Sequence, residues 1–153
     1  MTNLNLIEIL NKLVAVHNDR IEGYASASIE TEEHAMLDCF NDLIKTSRVC
    51  KMELTDKINR LGGKVEPKHV RKGNFMCMLN YKYAAHKQVN RRDIVESCNY
   101  GESVSKYKYE NLFNANQRNL ILEYSTMIKL HLGQLELDQS RLMQLRNGMA
   151  QTA

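Results

Sequence analysis

Apolar residues recur every three or four positions along four long stretches of the chain, which is the spacing of one helix face. The pattern predicts helices at about residues 5–29, 31–61, 92–113 and 117–147. Asn5 followed by Glu8 is typical of a capped helix start, and Gly62-Gly63 is typical of a helix end. Only short turns separate the first two helices and the last two, so each pair is expected to form an antiparallel hairpin.

A long connection, residues 62–91, separates the two predicted hairpins. Pro67 prevents the second helix from continuing into it, and an apolar cluster at 75–79 predicts one short helix within it. The connection is long enough to return along a helix of about 40 Å. The sequence therefore predicts one all-α domain spanning residues 1–153. Its fold would be a ferritin-like four-helix bundle, in which a long crossover containing a short helix joins two antiparallel helical hairpins.

The amino-acid composition and net charge argue against some classes of protein function. The chain has 153 residues, of which 43% are hydrophobic and 25% are charged, and its net charge is +3. These values are ordinary for a globular protein and too weakly basic to indicate nucleic-acid binding. We find neither a signal peptide nor an apolar run long enough to enter a membrane. The four cysteines are scattered at helical positions, which favours reduced thiols and a cytoplasmic location.

Positive charge is concentrated in the connection. Residues 62–92 contain eight Lys or Arg and one acid, Glu66. One hypothesis is therefore an anionic-surface or nucleic-acid site at Arg71, Lys72, Arg91 and Arg92. The competing interpretation is a solvated basic face that balances the acidic remainder of the bundle.

Polar side chains interrupt the apolar stripes at similar heights on all four helices. They are His17 on the first helix, Ser47 on the second, Glu102 on the third and His131 on the fourth. Buried polar groups are costly unless they are paired. We therefore predict an interior cluster in which Glu102 accepts hydrogen bonds from both imidazoles and Ser47 completes the layer.

The same residues, together with Glu22, could instead hold iron or another divalent metal. A two-iron bundle takes Glu-x-x-His from each of two helices, because residues three apart share a face. The predicted helices lack that spacing, since Ile128 stands three residues before His131, and the one such pair, Glu66 and His69, lies beside Pro67 in the connection. A hydrogen-bonded core layer without any cofactor and a metal site therefore remain as alternatives.

Several short motifs occur in an order that is similar to a known family. They are Leu6-Ile7-Glu8-Ile9-Leu10-Asn11, Asn18-Asp19-Arg20-Ile21-Glu22-Gly23-Tyr24, Arg60-Leu61-Gly62-Gly63, Arg71-Lys72-Gly73-Asn74-Phe75 and Gly101-Glu102. With them the chain resembles bacterial ferritin-like four-helix-bundle proteins of unknown function. This resemblance implies the fold but no activity.

Three functional hypotheses follow. The first is a non-catalytic bundle that acts by self-association or protein interaction, with a homodimer as its expected state and a stress response as its suggested setting. The second is a metal-binding bundle with its site in the core. The third is the anionic-surface site on the crossover. We expect no enzymatic turnover.

Overall fold

A computed structural model of the chain describes residues 1–67 and 90–151, without the side chains of 149–151. These residues form four α-helices and no strand. The helices are α1 (Asn3–Ile29), α2 (His34–Arg60), α3 (Arg91–Asn116) and α4 (Leu122–Gln151). The predicted all-α, four-helix architecture is confirmed. None of the helices in the described ranges has a stretch both long and apolar enough to cross a bilayer.

The helix ends differ from the predicted ones by a few residues. The cap of α1 is Thr2, whose hydroxyl accepts a hydrogen bond from the Asn5 backbone N–H at 3.2 Å, so Asn5 is not the capping residue. Glu33 rather than Thr31 precedes the first turn of α2. The fourth helix begins at Leu122, later than predicted, because the chain first makes a turn closed by the Asn119 N–H and the Asn116 carbonyl.

The helix directions follow from side-chain pairs at two heights. His17 meets Tyr109 while Tyr24 meets Glu102, so α1 and α3 are antiparallel. The pairs Glu53–His131 and Asp42–Arg141 make α2 and α4 antiparallel as well.

With antiparallel hairpins α1–α2 and α3–α4, the helices α2 and α3 run in the same direction. The chain leaves α2 beside Ile7, near the start of α1, and enters α3 where Arg91 pairs with Glu33 at the opposite end. The connection therefore links opposite ends of the bundle, as a long crossover requires. The short helix predicted at 75–79 lies outside the described residues.

The apolar core is divided into two clusters. One cluster, near the start of α1, includes Leu10, Leu13, Leu54 and Leu135. The other, near the end of α1, includes Tyr24, Phe40, Leu43, Ile94 and Leu142. Polar side chains from all four helices meet between the clusters, so the bundle's polar layer is bounded by apolar packing above and below.

A tight turn after α2 starts the crossover. Gly62 has φ +81°, in the left-handed region where a side chain is strained. Gly63 lies so close to Ile7 that an added Cβ would come within 2.8 Å of its side chain. The two glycines thus let the chain turn sharply against the first turns of α1.

The turn requires a positive φ at residue 62. We expect Gly62→Ala to lower the free energy of unfolding by about 1 kcal/mol, because alanine pays the steric cost of a positive φ. Asparagine tolerates this region better, so Gly62→Asn should lose less. Urea denaturation of the three proteins measures both values. Equal losses for the two variants would contradict the conformational explanation.

Candidate functional site

Helix α1 presents three polar side chains on its inner face. His17, Arg20 and Tyr24 are spaced three and four residues apart, so they stack on one side of the helix. All three are fully buried. They divide the polar layer into two tiers, one around the His17 imidazole and one around the Arg20 guanidinium.

The first tier is a chain of hydrogen bonds that reaches all four helices. His17 Nδ1 lies 3.1 Å from Ser47 Oγ, and His17 Nε2 lies 2.6 Å from the Tyr109 hydroxyl. The same hydroxyl is 2.9 Å from His131 Nδ1. His131 Nε2 then lies 3.0 Å from Glu53 Oε2, at a side chain that is 52% exposed. The Tyr109 hydroxyl therefore bridges the two imidazoles, and the tier opens to solvent only at Glu53.

Both imidazoles are neutral at pH 7. Burial lowers the pKa of His17 well below its usual value, and the positive charge of Arg20, together with that of His131 when it is protonated, lowers it further. Burial also lowers the pKa of His131, although Glu53 acts in the opposite direction.

Because both imidazoles are neutral, each hydrogen bond of the first tier has one defined donor and one defined acceptor. The Glu53 carboxylate accepts from His131 Nε2–H, which leaves Nδ1 to accept from the Tyr109 hydroxyl. Tyr109 then accepts from His17 Nε2–H, and His17 Nδ1 accepts from the Ser47 hydroxyl. Each donor in the tier thus has one acceptor, and all the protons point toward Glu53.

The second tier is built around Arg20. Its Nη2 donates to Glu102 Oε1 at 2.7 Å and to Asp138 Oδ2 at 2.9 Å, and its Nη1 donates to Ser47. Tyr24 also donates to Glu102 Oε1. Opposite charges keep the pKa of Arg20 above its ordinary value, against the effect of burial. One guanidinium therefore joins all three other helices to α1, and Ser47 links the two tiers.

The predicted cluster is present in part and is arranged differently. Ser47 and the two imidazoles meet in one tier, but Glu102 does not accept from either imidazole as predicted. Its Oε1 accepts from Arg20 and Tyr24 instead, and its buried Oε2 has no hydrogen-bond partner among the described residues. The reason is that Arg20, one helical turn after His17 on α1, donates hydrogen bonds to Glu102 in place of the imidazoles. Glu22 is half-buried and lies about 140° around α1 from His17, so it is not part of either tier.

Four functional side chains were not placed in the cluster from sequence. They are Arg20, Glu53, Tyr109 and Asp138. Two signals were available: Arg20 is a charged residue three positions after His17 on the same face, and Asp138 is seven positions after His131. Tyr109 lies seven residues after Glu102, which places it on the same helix face, but the pattern gives no information on the partner of its hydroxyl. Glu53 lies at the edge of its stripe and looks like any surface acid.

A cysteine thiol lies close to the two imidazoles and could bind a metal ion together with them. Ligand atoms of His17, Cys50 and His131 all fall within 4.8 Å of one another, and all three residues are buried. Burial raises the pKa of the Cys50 thiol to about 12 and also raises the pKa of Tyr109. Without a bound cation, both groups therefore carry their protons at pH 7.

The remaining predicted residues lie elsewhere. Cys39, Cys50 and Cys98 are free, buried thiols, and Cys77 lies outside the described residues. Arg91 pairs with Glu33, and Arg92 pairs with Glu96 at 3.2 Å. Arg71 and Lys72 also lie outside the described residues, so the anionic-surface site stays a prediction.

Comparisons with known proteins agree on the fold. A family model described as "Domain of unknown function (DUF2383)" matches residues 5–115. The chain is also similar to a solved structure from Bacillus anthracis str. Ames, described as "ferritin like, diiron-carboxylate proteins", with TM-score 0.71 and 18% identity. The match covers 94% of this chain and 96% of that one, and at this identity it shows the ferritin-like fold alone. No curated protein matches the chain.

The neutral imidazoles predict an acid-labile core. In the unfolded chain His17 and His131 bind protons near pH 6.5, whereas in the folded chain these two residues bind them only at lower pH. Stability should therefore be complete above pH 6.5 and fall as the pH drops below it. We expect His17→Gln to make the fall between pH 6.5 and 5.5 shallower by about 1 kcal/mol per pH unit.

Urea denaturation at a series of pH values measures this slope. His34 is exposed at the start of α2, outside the core, so His34→Gln is the matched control for the loss of a histidine side chain. A His17→Gln protein with the wild-type slope would show that His17 does not resist protonation in the fold.

Proposed function

Because the chain belongs to the family described as domain of unknown function (DUF2383) and has a ferritin-like fold, we propose that it is a metal-binding bundle with one transition-metal ion in its core. The ligands are His17, Cys50 and His131, with the Tyr109 oxygen as the fourth. The observation that carries the proposal is the convergence of two neutral imidazoles and a thiol at one buried point.

The donors lie close to the geometry that a metal requires. Bonds of about 2.0–2.3 Å in a tetrahedral site put ligand atoms roughly 3.5 Å apart. The candidate atoms lie within 4.8 Å of one another, so side-chain shifts of about 1 Å complete the site. The Tyr109 oxygen lies 2.6 Å from His17 Nε2 and 2.9 Å from His131 Nδ1, so it is placed to be the fourth donor once the metal displaces the protons of these two hydrogen bonds.

The surrounding charges favour a cation. Arg20 alone would oppose one, but it is bound to two carboxylates, Glu102 and Asp138, which together leave the second tier with an excess of negative charge. The Glu53 carboxylate adds another negative charge on the opposite side and holds His131 with Nδ1 facing inward. Partners of this kind orient ligand imidazoles and strengthen their binding.

A di-iron centre of the kind named for the structural neighbour does not fit the described residues. Such a centre needs carboxylates from several helices around two adjacent cations. Here the guanidinium of Arg20 lies between the two buried carboxylates and takes their hydrogen bonds. The chemistry of the proposed donors also differs, because two imidazoles and a thiolate favour zinc, cobalt or copper over a carboxylate-ligated iron pair.

The proposed role is binding rather than turnover. Four protein donors fill a tetrahedral site, whereas catalytic zinc sites keep one position open for water or substrate. The candidate ligands are 0–3% exposed, which leaves substrate no direct path to the ion. The bound ion would stabilise the layer between the two apolar clusters.

Cobalt titration tests the site. Protein stripped of metal with a chelator should bind one equivalent of Co²⁺ and show thiolate-to-cobalt charge-transfer absorption, which zinc then removes. Cys50→Ser should abolish that absorption and weaken binding by about 100-fold, because the thiolate is the strongest of the donors. At 100 times its Kd, a bound ion should raise the free energy of unfolding by about 2.7 kcal/mol.

The chain offers a matched control. Cys39 is also a buried cysteine on α2, but it does not belong to the donor group, so Cys39→Ser should bind cobalt as the wild type does. Absence of charge-transfer absorption in the wild type, or its equal loss in both variants, would disprove the site.

Self-association is the second candidate function. It is favoured by large apolar side chains that remain on the outside of α4, namely Leu130 at 66% and Leu137 at 65% exposure. The two leucines lie two helical turns apart on one face, which is the spacing of side chains that pack against a second helix. Sedimentation equilibrium distinguishes the proposed dimer from a monomer, and it does so independently of metal content.

A further inference from the structure

The outer face of α4 carries a second regular stripe. Its members are spaced four and three residues apart in turn, as in a helix that packs against another helix. We call these residues the outer α4 stripe: Thr126, Leu130, Gly133, Leu137 and Ser140. All are exposed except Gly133, which is half-buried.

The stripe lies on the opposite side of α4 from the core. His131 and Asp138 face the polar layer, whereas Leu130 and Leu137 precede them directly and point outward. Within the described part of the chain, nothing lies within 4 Å of a Cβ built on Gly133, so the space between the two leucines is open. A second helix could therefore approach closely at the middle of the stripe.

We infer that the outer α4 stripe is a homodimer interface, in which α4 packs antiparallel to the α4 of a second copy about a two-fold axis near Gly133 and Gln134. Leu130 then packs against the partner's Leu137, and the same contact repeats on the other side of the axis. Gly133 allows the two backbones to come close at the centre.

Charge favours a second copy in this orientation. Lys129 and Glu136 are both exposed and lie seven residues apart on one flank of the stripe. In an antiparallel pair the same flanks face each other, so Lys129 meets the partner's Glu136 twice. A parallel pair would bring like residues to the same height and lose this complementarity.

This inference rests on the proposed self-association and adds its surface, direction and register. The first experiment replaces both leucines. Wild type should sediment as a dimer, and Leu130→Glu with Leu137→Glu should weaken the dimer by at least about 100-fold. Leu4→Glu with Ile29→Glu is the matched control, because these side chains are 79% and 83% exposed at other places. Circular dichroism checks that each variant is folded.

The second experiment determines whether the two α4 helices run antiparallel or parallel. Single cysteines are introduced on α4 in a protein that carries Cys77→Ser, and disulfide cross-linking between copies is measured. Near the axis, Gln134→Cys should form an intermolecular disulfide under mild oxidation. Ser140→Cys should not, because antiparallel helices place the two copies of residue 140 about 20 Å apart. A parallel pair would cross-link at both positions.

The outcomes separate the two proposals. A monomeric wild type overturns both self-association and the interface. A wild-type dimer that persists after both leucines are replaced overturns the interface alone. Cross-linking at both positions, or at neither, overturns the antiparallel register, and cross-linking at Gln134→Cys alone supports it.

Discussion

The burial of one guanidinium organises the middle of this bundle. Arg20 is completely removed from water, so its desolvation must be offset by partners with good geometry. Those partners come from the other three helices: Ser47, Glu102 and Asp138. Loss of one member of such a buried group costs about 3–5 kcal/mol. Apolar side chains can still pack when one helix slides along another. The charges of Arg20 and its carboxylate partners, in contrast, are paired only when the four helices are in this register.

The orientation of the imidazoles follows from the same group. Arg20 donates to Ser47, which frees the serine proton for His17, and each later bond in the first tier continues in that direction to Glu53. The donors at one end and the acceptor at the other thus select one tautomer for each histidine. In that arrangement His131 turns Nδ1 inward, toward the Tyr109 hydroxyl. The ion group therefore prepares His131 for the proposed metal, whereas His17 would have to lose the proton on Nε2 before that nitrogen could bind the ion.

Sequence reasoning predicted the helices and the polar layer because both depend on periodicity. His17, Ser47 and His131 interrupt apolar stripes, and periodicity alone places them inward. Periodicity could not identify the partner of Glu102, because Arg20 and Ile21 are adjacent and the pattern allows either side chain to face the core at that height. The structure buries Arg20 completely and leaves Ile21 half-buried. Hydrogen-bond partners depend on side-chain reach across the bundle, which residue spacing along one helix does not encode.

The two faces of α4 are linked through adjacent residues. Leu130 and Leu137 point outward, while their immediate neighbours His131 and Asp138 each belong to one tier of the polar layer. Because a helix rotates as a rigid unit, contacts that fix the two leucines also fix the angle at which the two polar side chains enter the core. In the proposed dimer, each α4 would be held by apolar packing on both sides. Such packing would restrict its rotation, and a site with four protein ligands needs that rigidity since small rotations separate the donors.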